Sequence, residues 1–331
     1  MQNIIIDYLD QAKIGRKQSF KNLSIFPLLS TYGLDLEYLL LDEALSEGAM
    51  EVVEVDKDGS VPDLNVINKS PRMVLILDGE ELVGAKQNRI VNTTILIQGN
   101  TTIVIPVSCV EQGRWSYDSP RFSTKRRVMS PHLRAMKSEQ VHYSLRSSGR
   151  HMSDQGVIWN EISEKATRHA AESPSMSMAH IYEKDMTSIN EYVKHFKLID
   201  SQVGAIFMIN GKVVGMDSVG KPETFSKVFK KLVQSYALDA IDWYDPETEY
   251  KALKSEVTRF IKASETARVE SHPPVGQGSD LRMESRKITG FALSLDERIL
   301  HLCIFLRENG RNSHVSDSGM GRFSARRRNR V

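Results

Sequence analysis

Two cysteines in 331 residues are too few for a disulfide framework, and neither has companions at zinc-binding spacing. Cys109 and Cys303 both fall in apolar, strand-like runs, so free thiols in a reducing, cytoplasmic setting are expected. Long hydrophobic runs are also missing. No stretch approaches the roughly 18 apolar residues of a membrane span, and no membrane partner is expected. The opening MQNIIIDYLDQAKIGRKQ carries Asp7 and Asp10 within its apolar part and no small-residue cleavage pattern, which excludes a secretory signal. Charge of one sign is absent as well. The net charge of +2 gives no global attraction to nucleic acid or membrane. The nine histidines contain no HExxH pattern, so no metal site is expected, and no cofactor is indicated. A P-loop is excluded too: SHPPVGQGSDLR places Gly276 and Gly278 outside any strand–GxxxxGK[ST]–helix order. Those glycines read as a connection between strands, with an anion cradle as the sharper alternative.

What is present points to an α+β protein. A hydrophobic content of 40% is ordinary for a globular chain, and the length supports one large core or two intimate ones. Ile4, Ile5, Tyr8, Leu9 and Ala12 share helical spacing, so a helix is expected within residues 1–22. From Leu23 to Trp115 the pattern changes to short runs such as LSIFPLL, MEVVEV and LNVIN, with turn clusters at Asp58-Gly59 and Pro62-Asp63. About seven strands are expected there, in a sandwich-like or barrel-like antiparallel sheet. Residues 120–200 read as a Ser/Pro/Arg-rich surface loop and then helices. One helix runs from Pro131 to about Leu145, one opens at Ser153-Asp154, and shorter pieces lie at 176–184 and 186–196. Residues 201–306 are mixed, with an Asn210-Gly211 hairpin, a helix opened by Pro222 and a last pair of strands around Asp296-Glu297-Arg298. The expected architecture is an N-terminal antiparallel β-rich half packed with a C-terminal mixed helix/hairpin half, residues 23–306 forming a single domain. From Arg307 onward, seven arginines against two acids, among Gly, Ser and Asn, read as a disordered basic tail. Nucleic acid is a conceivable partner only through that tail.

The stretch from Pro71 to Trp115 holds the candidate chemistry. MVLIL meets Asp78-Gly79, a strong hairpin signal. The return run is interrupted by Lys86-Gln87-Asn88-Arg89, which lacks the glycine or proline of a solvated loop. IVIPVSCVE then alternates, placing Ile103, Ile105, Val107, Cys109 and Glu111 on one face. Glu80, Glu81 and Glu111 supply carboxylates, while Lys86, Arg89 and Arg114 supply cations suited to phosphate. Gln87, Asn88 and Gln112 suit a sugar or a base. The plain alternative is salt bridging of strand ends. Cys109 is most simply a small core residue; a nucleophilic role needs a thiol pKa lowered by Arg114 or Lys86. Arg121, Lys125, Arg126 and Arg127 read as an electropositive rim or a solvated face. Ser153-Asp154-Gln155-Gly156, at a helix start, is a weaker anion candidate.

DGEELVGAKQNR, IPVSCVEQGRW, SDQGVIW, GKVVGMDSVGKPETF, GQGSDLR and GFALSLDERILHL together resemble the ARG and Rhodanese-Phosphatase-superfamily-associated protein domain family, from about Leu23 to Phe305. The matching positions include Glu80, Gly84, Lys86, Gln87, Asn88, Arg89, Cys109, Glu111, Gly113, Arg114 and Trp115. The family name refers to ADP-ribosyl glycohydrolases and a rhodanese-phosphatase protein. The resemblance thus implies binding or processing of an ADP-ribose-like or other nucleotide-derived small molecule. On that expectation Lys86, Arg89 and Arg114 hold phosphates, Gln87 and Asn88 contact ribose, and Trp115 stacks on a ring. Glu80 or Glu111 then acts as base or binds a divalent ion, with Cys109 as the thiol alternative. The competing expectation is a non-catalytic module of a prokaryotic stress or conflict-response system that engages a protein partner.

Overall fold

The computed structural model describes residues 2–56 and 60–307, so the Asp58-Gly59 turn and the tail beyond Arg307 lie outside the described residues. Ile5, Tyr8 and Leu9 bury one face of α1 (Gln2–Asp10), which ends well short of residue 22. Strands β1 (Ala12–Ile14) and β2 (Gln18–Phe20) follow and pair successively along one edge of β3 (Leu23–Ser30). Next come β4 (Tyr38–Leu40), α2 (Leu41–Ser46), β5 (Met50–Glu54), β6 (Asp63–Asn68), β7 (Met73–Ile76), β8 (Glu80–Gly84), β9 (Arg89–Val91), β10 (Ile95–Ile97) and β11 (Thr101–Cys109). Eleven strands therefore precede Trp115 among the described residues, not seven, because several apolar runs are cut where the chain changes sheets. The expected surface loop contains β12 (Phe122–Val128), held by Leu82 and its neighbours on β8. Helices α3 (Pro131–Ser148), α4 (Gln155–Arg168), α5 (Met178–Lys184) and α6 (Met186–Lys194) lie close to their expected spans. The chain finishes with β13 (Gln202–Ile209), β14 (Lys212–Val219), α7 (Pro222–Asp242), α8 (Lys254–Glu265), β15 (Arg268–His272), β16 (Ser279–Glu284), β17 (Ile288–Leu295) and β18 (Arg298–Leu306).

The fold is α+β, with three sheets among the described residues. A nine-stranded antiparallel sheet runs β1-β3-β13-β14-β18-β17-β16-β15, with β2 also on β3. One of its faces packs on α7 and α6 through Ile25, Phe207, Val228, Leu232 and Tyr236. The other packs on α1 and α8 through Phe26, Met216, Val257 and Phe260. Helix, sheet and helix make the layers that bury both faces of a long antiparallel sheet. The N-terminal β-rich half and the C-terminal mixed half pack together as expected, and they also share a sheet, since β3 pairs directly with β13. The second sheet runs β12-β8-β9-β11-β6-β5 and curls until Arg121 at one edge pairs with Glu51 at the other, 2.7 Å apart. Val52, Leu64, Val66, Leu82, Val91, Ile105 and Val107 fill this half-open barrel. A small sheet, β10-β7-β4, and α2 cover it.

Asp78-Gly79 does not make a hairpin. β7 pairs with β10 and β4, while β8 pairs with β9 and β12. A type I′ turn needs positive φ at both central residues, but of the two only Gly79 has it, at 78°. Asn210 (52°) and Gly211 (74°) do satisfy that rule, and β13–β14 is a hairpin. Asp296 (48°) and Glu297 (60°) adopt the same conformation without glycine at β17–β18.

Asp78 turns inward instead. Its carboxylate takes the Lys137 ammonium and lies 3.4 Å from Arg134 Nε, all three side chains being buried. Arg134 forks onto Asp217 of β14 at 3.1 and 2.8 Å, and Tyr236 of α7 donates to the same carboxylate at 2.8 Å. Lys137 also donates to the carbonyls of Val91 and Asn92, at 3.1 Å each. Burial alone would raise the Asp217 carboxyl, yet Arg134 and His301 hold it well below the usual carboxylate range. Arg134→Ala leaves two buried carboxylates short of a partner and is expected to cost about 3–5 kcal/mol. Urea unfolding checks this; a loss under about 1 kcal/mol would show that the network contributes little.

Candidate functional site

Alternation along the barrel strands puts three chemically active side chains at one end of its interior. Glu54 follows Met50 and Val52 on β5, Arg89 shares a face with Val91 on β9, and Cys109 follows Val107 on β11. Arg89 and Cys109 are directly opposed across the β9–β11 ladder. The loop of residues 85–88, between β8 and β9, and the segment 111–119 after β11 close this mouth. The two segments meet, as a site there requires. Asp118 N–H donates to Ala85 O at 2.9 Å and Ala85 N–H to Ser119 Oγ at 3.1 Å. Gly84, at φ 123°, is needed for this closure because a Cβ would sit 2.5 Å from Ser119 Oγ.

The expected cluster separates into scaffold and candidate contacts. Arg114 is consumed by the protein itself. Its Nη1 donates to Ala85 O (2.7 Å) and Ser116 O (3.1 Å), its Nη2 to Asn88 Oδ1 (3.1 Å), and Nε and Nη2 to Glu111 Oε2 at 3.0 and 2.7 Å. Glu111 also accepts from Asn88 N–H at 3.1 Å. Burial tends to raise the Glu111 carboxyl, but Arg114, the Asn88 amide and Ser175 together keep it below its ordinary value, which makes it a poor proton acceptor. Gln87 accepts from Arg89 Nη1 at 3.2 Å, and Asn88 Oδ1 also accepts from Gly84 N–H at 3.1 Å. Arg114, Glu111, Asn88 and Gln87 therefore shape the loop before they can touch a ligand.

Arg89 is different. Its guanidinium is fully buried, and its Nε and Nη2 have no hydrogen-bond partner among the described residues. Burial lowers its pKa, with Cys109 and Glu54 opposing. Glu54 accepts from Lys86 N–H at 3.3 Å through one oxygen, while its Oε2 has no hydrogen-bond partner among the described residues. Over this mouth lie Trp115 and Tyr117, both about half exposed. Lys86 Nζ is 5.3 Å from each ring centroid, and Arg89 Cζ is 5.7 Å from that of Trp115. Glu54 was missed by sequence reasoning. Its signal is a carboxylate at the buried position of the alternating MEVVEV run.

Several expectations do not match what the residues do in the fold. Glu80 does not join the mouth: it pairs with Lys231 of α7, which also holds Asp42 at 2.7 Å, and it accepts from Leu77 N–H at 2.8 Å. Its neighbour Glu81 feels the Glu111 charge and has neither oxygen hydrogen-bonded among the described residues, its ion pair with Arg127 being 3.8 Å long. Cys109 is not an activated thiol. Burial pushes it up to about 11 against the pull of Arg89, and neither Arg114 nor Lys86 lowers it. The helix start at Asp154 offers no anion site, since Asp154 caps Val157 N–H at 3.1 Å. Gln155 clamps the Cys109 backbone on both sides, at 2.8 and 2.6 Å. Gly276 and Gly278 likewise serve packing: a Cβ on Gly276 would lie 2.1 Å from Leu96 O, and Gln277 N–H is used by the same carbonyl at 2.8 Å. Of the expected electropositive rim, Arg127 is buried against Glu81 and Glu183, and Arg121 pairs with Glu51.

Two open cavities lie elsewhere. One of about 450 Å³ lies between α2 and the barrel edges (Asp42, Glu51, Arg121, Thr124), and one of about 550 Å³ is lined by Tyr38, Lys221, Thr224 and Lys227. No helix among the described residues is long and apolar enough to cross a membrane. Residues 11–305 match the model of a family described as the ARG and Rhodanese-Phosphatase-superfamily-associated Protein domain. No curated protein and no solved structure matches the chain.

With both thiols raised by burial, iodoacetamide at about pH 8 should leave Cys109 and Cys303 equally unmodified in the folded protein and label both once urea unfolds it. Selective labelling of Cys109 would restore the nucleophile. Burial raises Glu81 from 4.5 to about 7. Between those values the folded chain holds a proton that the unfolded chain has lost, so this group's contribution to stability falls as pH rises through the window, by up to about 3 kcal/mol. Glu81→Gln should therefore gain stability relative to wild type between about pH 4.5 and 7. A pH-independent difference would contradict the assignment.

Proposed function

The chain belongs to the ARG and Rhodanese-Phosphatase-superfamily-associated Protein domain family, and from that premise we propose that it binds an anionic, nucleotide-derived metabolite of the ADP-ribose type at the barrel mouth. The observation that carries this reading is the Arg89 guanidinium, buried with two unsatisfied nitrogens beneath an aromatic cover. A buried donor without an acceptor costs about 1–3 kcal/mol, more for a charged group, and a phosphate oxygen pair would satisfy both nitrogens at once. Barrel mouths are a recurrent place for such ligands. In this reading Arg89 grips the phosphate, Lys86 adds charge, and Trp115 or Tyr117 stacks on a ring. Gln87, Asn88, Glu111 and Arg114 position the loop, so their role is shape. Entry requires segment 113–119 to lift, because Arg89 is closed off from solvent in the present conformation. The reading is one of recognition: Glu111 is held by Arg114, Glu80 lies away from the mouth, and the Cys109 thiol is raised.

A thermal-shift titration with ADP-ribose, NAD and mononucleotides tests it. A ligand at about 100 times its dissociation constant should stabilise wild type by roughly 2.7 kcal/mol. Arg89→Ala should abolish the shift, and Arg89→Lys should weaken binding by about tenfold or more, since an ammonium cannot fork. An unchanged shift in Arg89→Ala, or no response of wild type to any nucleotide, would overturn the reading in favour of an interaction module.

A further inference from the structure

Strand β15 forms one edge of the nine-stranded sheet, and α3 approaches it through His142, which is 4% exposed. Glu270 and His272, two residues apart on β15, share a face by strand alternation. Glu270 Oε2 lies 3.2 Å from His142 Nε2 and 3.6 Å from His272 Nε2, and the three atoms fall within 4.8 Å of one another. His272 Nε2 is buried and has no hydrogen-bond partner among the described residues. The two rings meet edge to face, 6.1 Å apart, so their nitrogens converge on the carboxylate and do not stack past it.

Two imidazole nitrogens and one carboxylate oxygen around a common point form a donor set for a borderline divalent ion; calcium and magnesium take oxygen. Ligand atoms about 2.0–2.2 Å from zinc lie roughly 3.3–3.6 Å from one another in a tetrahedron, close to the two spacings between Glu270 Oε2 and the histidine nitrogens, while the two nitrogens lie within 4.8 Å of each other. The other carboxylate oxygen, Oε1, is held by Arg146 Nη2 at 2.9 Å and Arg268 Nη2 at 3.0 Å, the kind of outer contact that orients a ligating carboxylate. Arg146 Nε also reaches Oε2 at 2.8 Å and would have to withdraw, and its Nη2 already has a second anchor on Glu284 at 2.7 Å. We propose that His142, Glu270 and His272 bind a divalent first-row transition metal, zinc in the first instance, with a coordination position left open. No sequence motif announces the site, because His142 and Glu270 are 128 residues apart. It rests on residues other than those of the barrel mouth, so either proposal can fail without the other.

The test uses the full chain, stripped by chelator dialysis and titrated with ZnCl2 by calorimetry and with CoCl2 by visible absorption. One equivalent should bind, and Co2+ should show the intense d–d bands of a low-coordinate nitrogen/oxygen site. Loss of an outer-sphere partner alone weakens metal sites by about 10–100-fold, so His272→Ala should lose at least that much affinity. His272→Asp, which returns a ligand oxygen, should recover Co2+ binding, and His195→Ala on the exposed α6 end should bind like wild type. Absence of binding to wild type would overturn the proposal. So would binding that survives His272→Ala, or an equal loss in His272→Asp despite an unchanged far-UV spectrum.

Discussion

The buried fork between Arg134 and Asp217 holds together parts of the chain that the backbone alone would leave separate. Asp217 belongs to the large sheet, Arg134 to the helix over it, and Asp78 to the switch between the small sheet and the barrel. Tyr236 brings in α7, and His301 reaches Thr94 at 2.7 Å. Two cations and two carboxylates sit here without solvent, an arrangement that resists rearrangement because moving any one strands the rest. Oil-like packing tolerates slippage; a network with directional donors does not. The switch at Asp78-Gly79 follows from it: a hairpin there would carry Asp78 away from Lys137 and Arg134.

Two arginines show how the same side chain serves opposite ends. Arg114 donates to five carbonyl or carboxylate partners of its own protein and acts as a staple for the loop. Arg89, no more exposed, leaves two nitrogens without a hydrogen-bond partner among the described residues. Proteins seldom retain such a group without a use for it, which is why the barrel mouth, and not either open cavity, is the place proposed for a ligand. The loop that Arg114 staples is the one that covers Arg89.

The strand-end cluster was legible in the sequence because Lys86-Gln87-Asn88-Arg89 lacks turn chemistry and cannot be an ordinary solvated loop. All four residues are indeed buried. Their division of labour was not legible, since spacing reports proximity and not which hydrogen bonds are already made. Glu80 and Glu81 illustrate the limit: adjacent residues on a strand face opposite ways, and only the packing shows that Glu80 goes to Lys231. Hairpin grammar held at Asn210-Gly211, where local geometry decides, and failed at Asp78-Gly79, where a buried charge overrides it.

The sequence by itself determined the α+β class, most helix spans, the free cysteines and the buried polar run Lys86-Gln87-Asn88-Arg89, because each rests on local propensity or on periodicity within a few residues. Only the tertiary structure decided that β3 joins β13, that the second sheet curls into a barrel, that Glu54 faces Arg89, and that His142 meets Glu270 and His272. Those contacts join residues far apart in the chain. Their free energy comes from burying apolar area and pairing charges in the assembled core, and no local pattern encodes which distant partner will complete them.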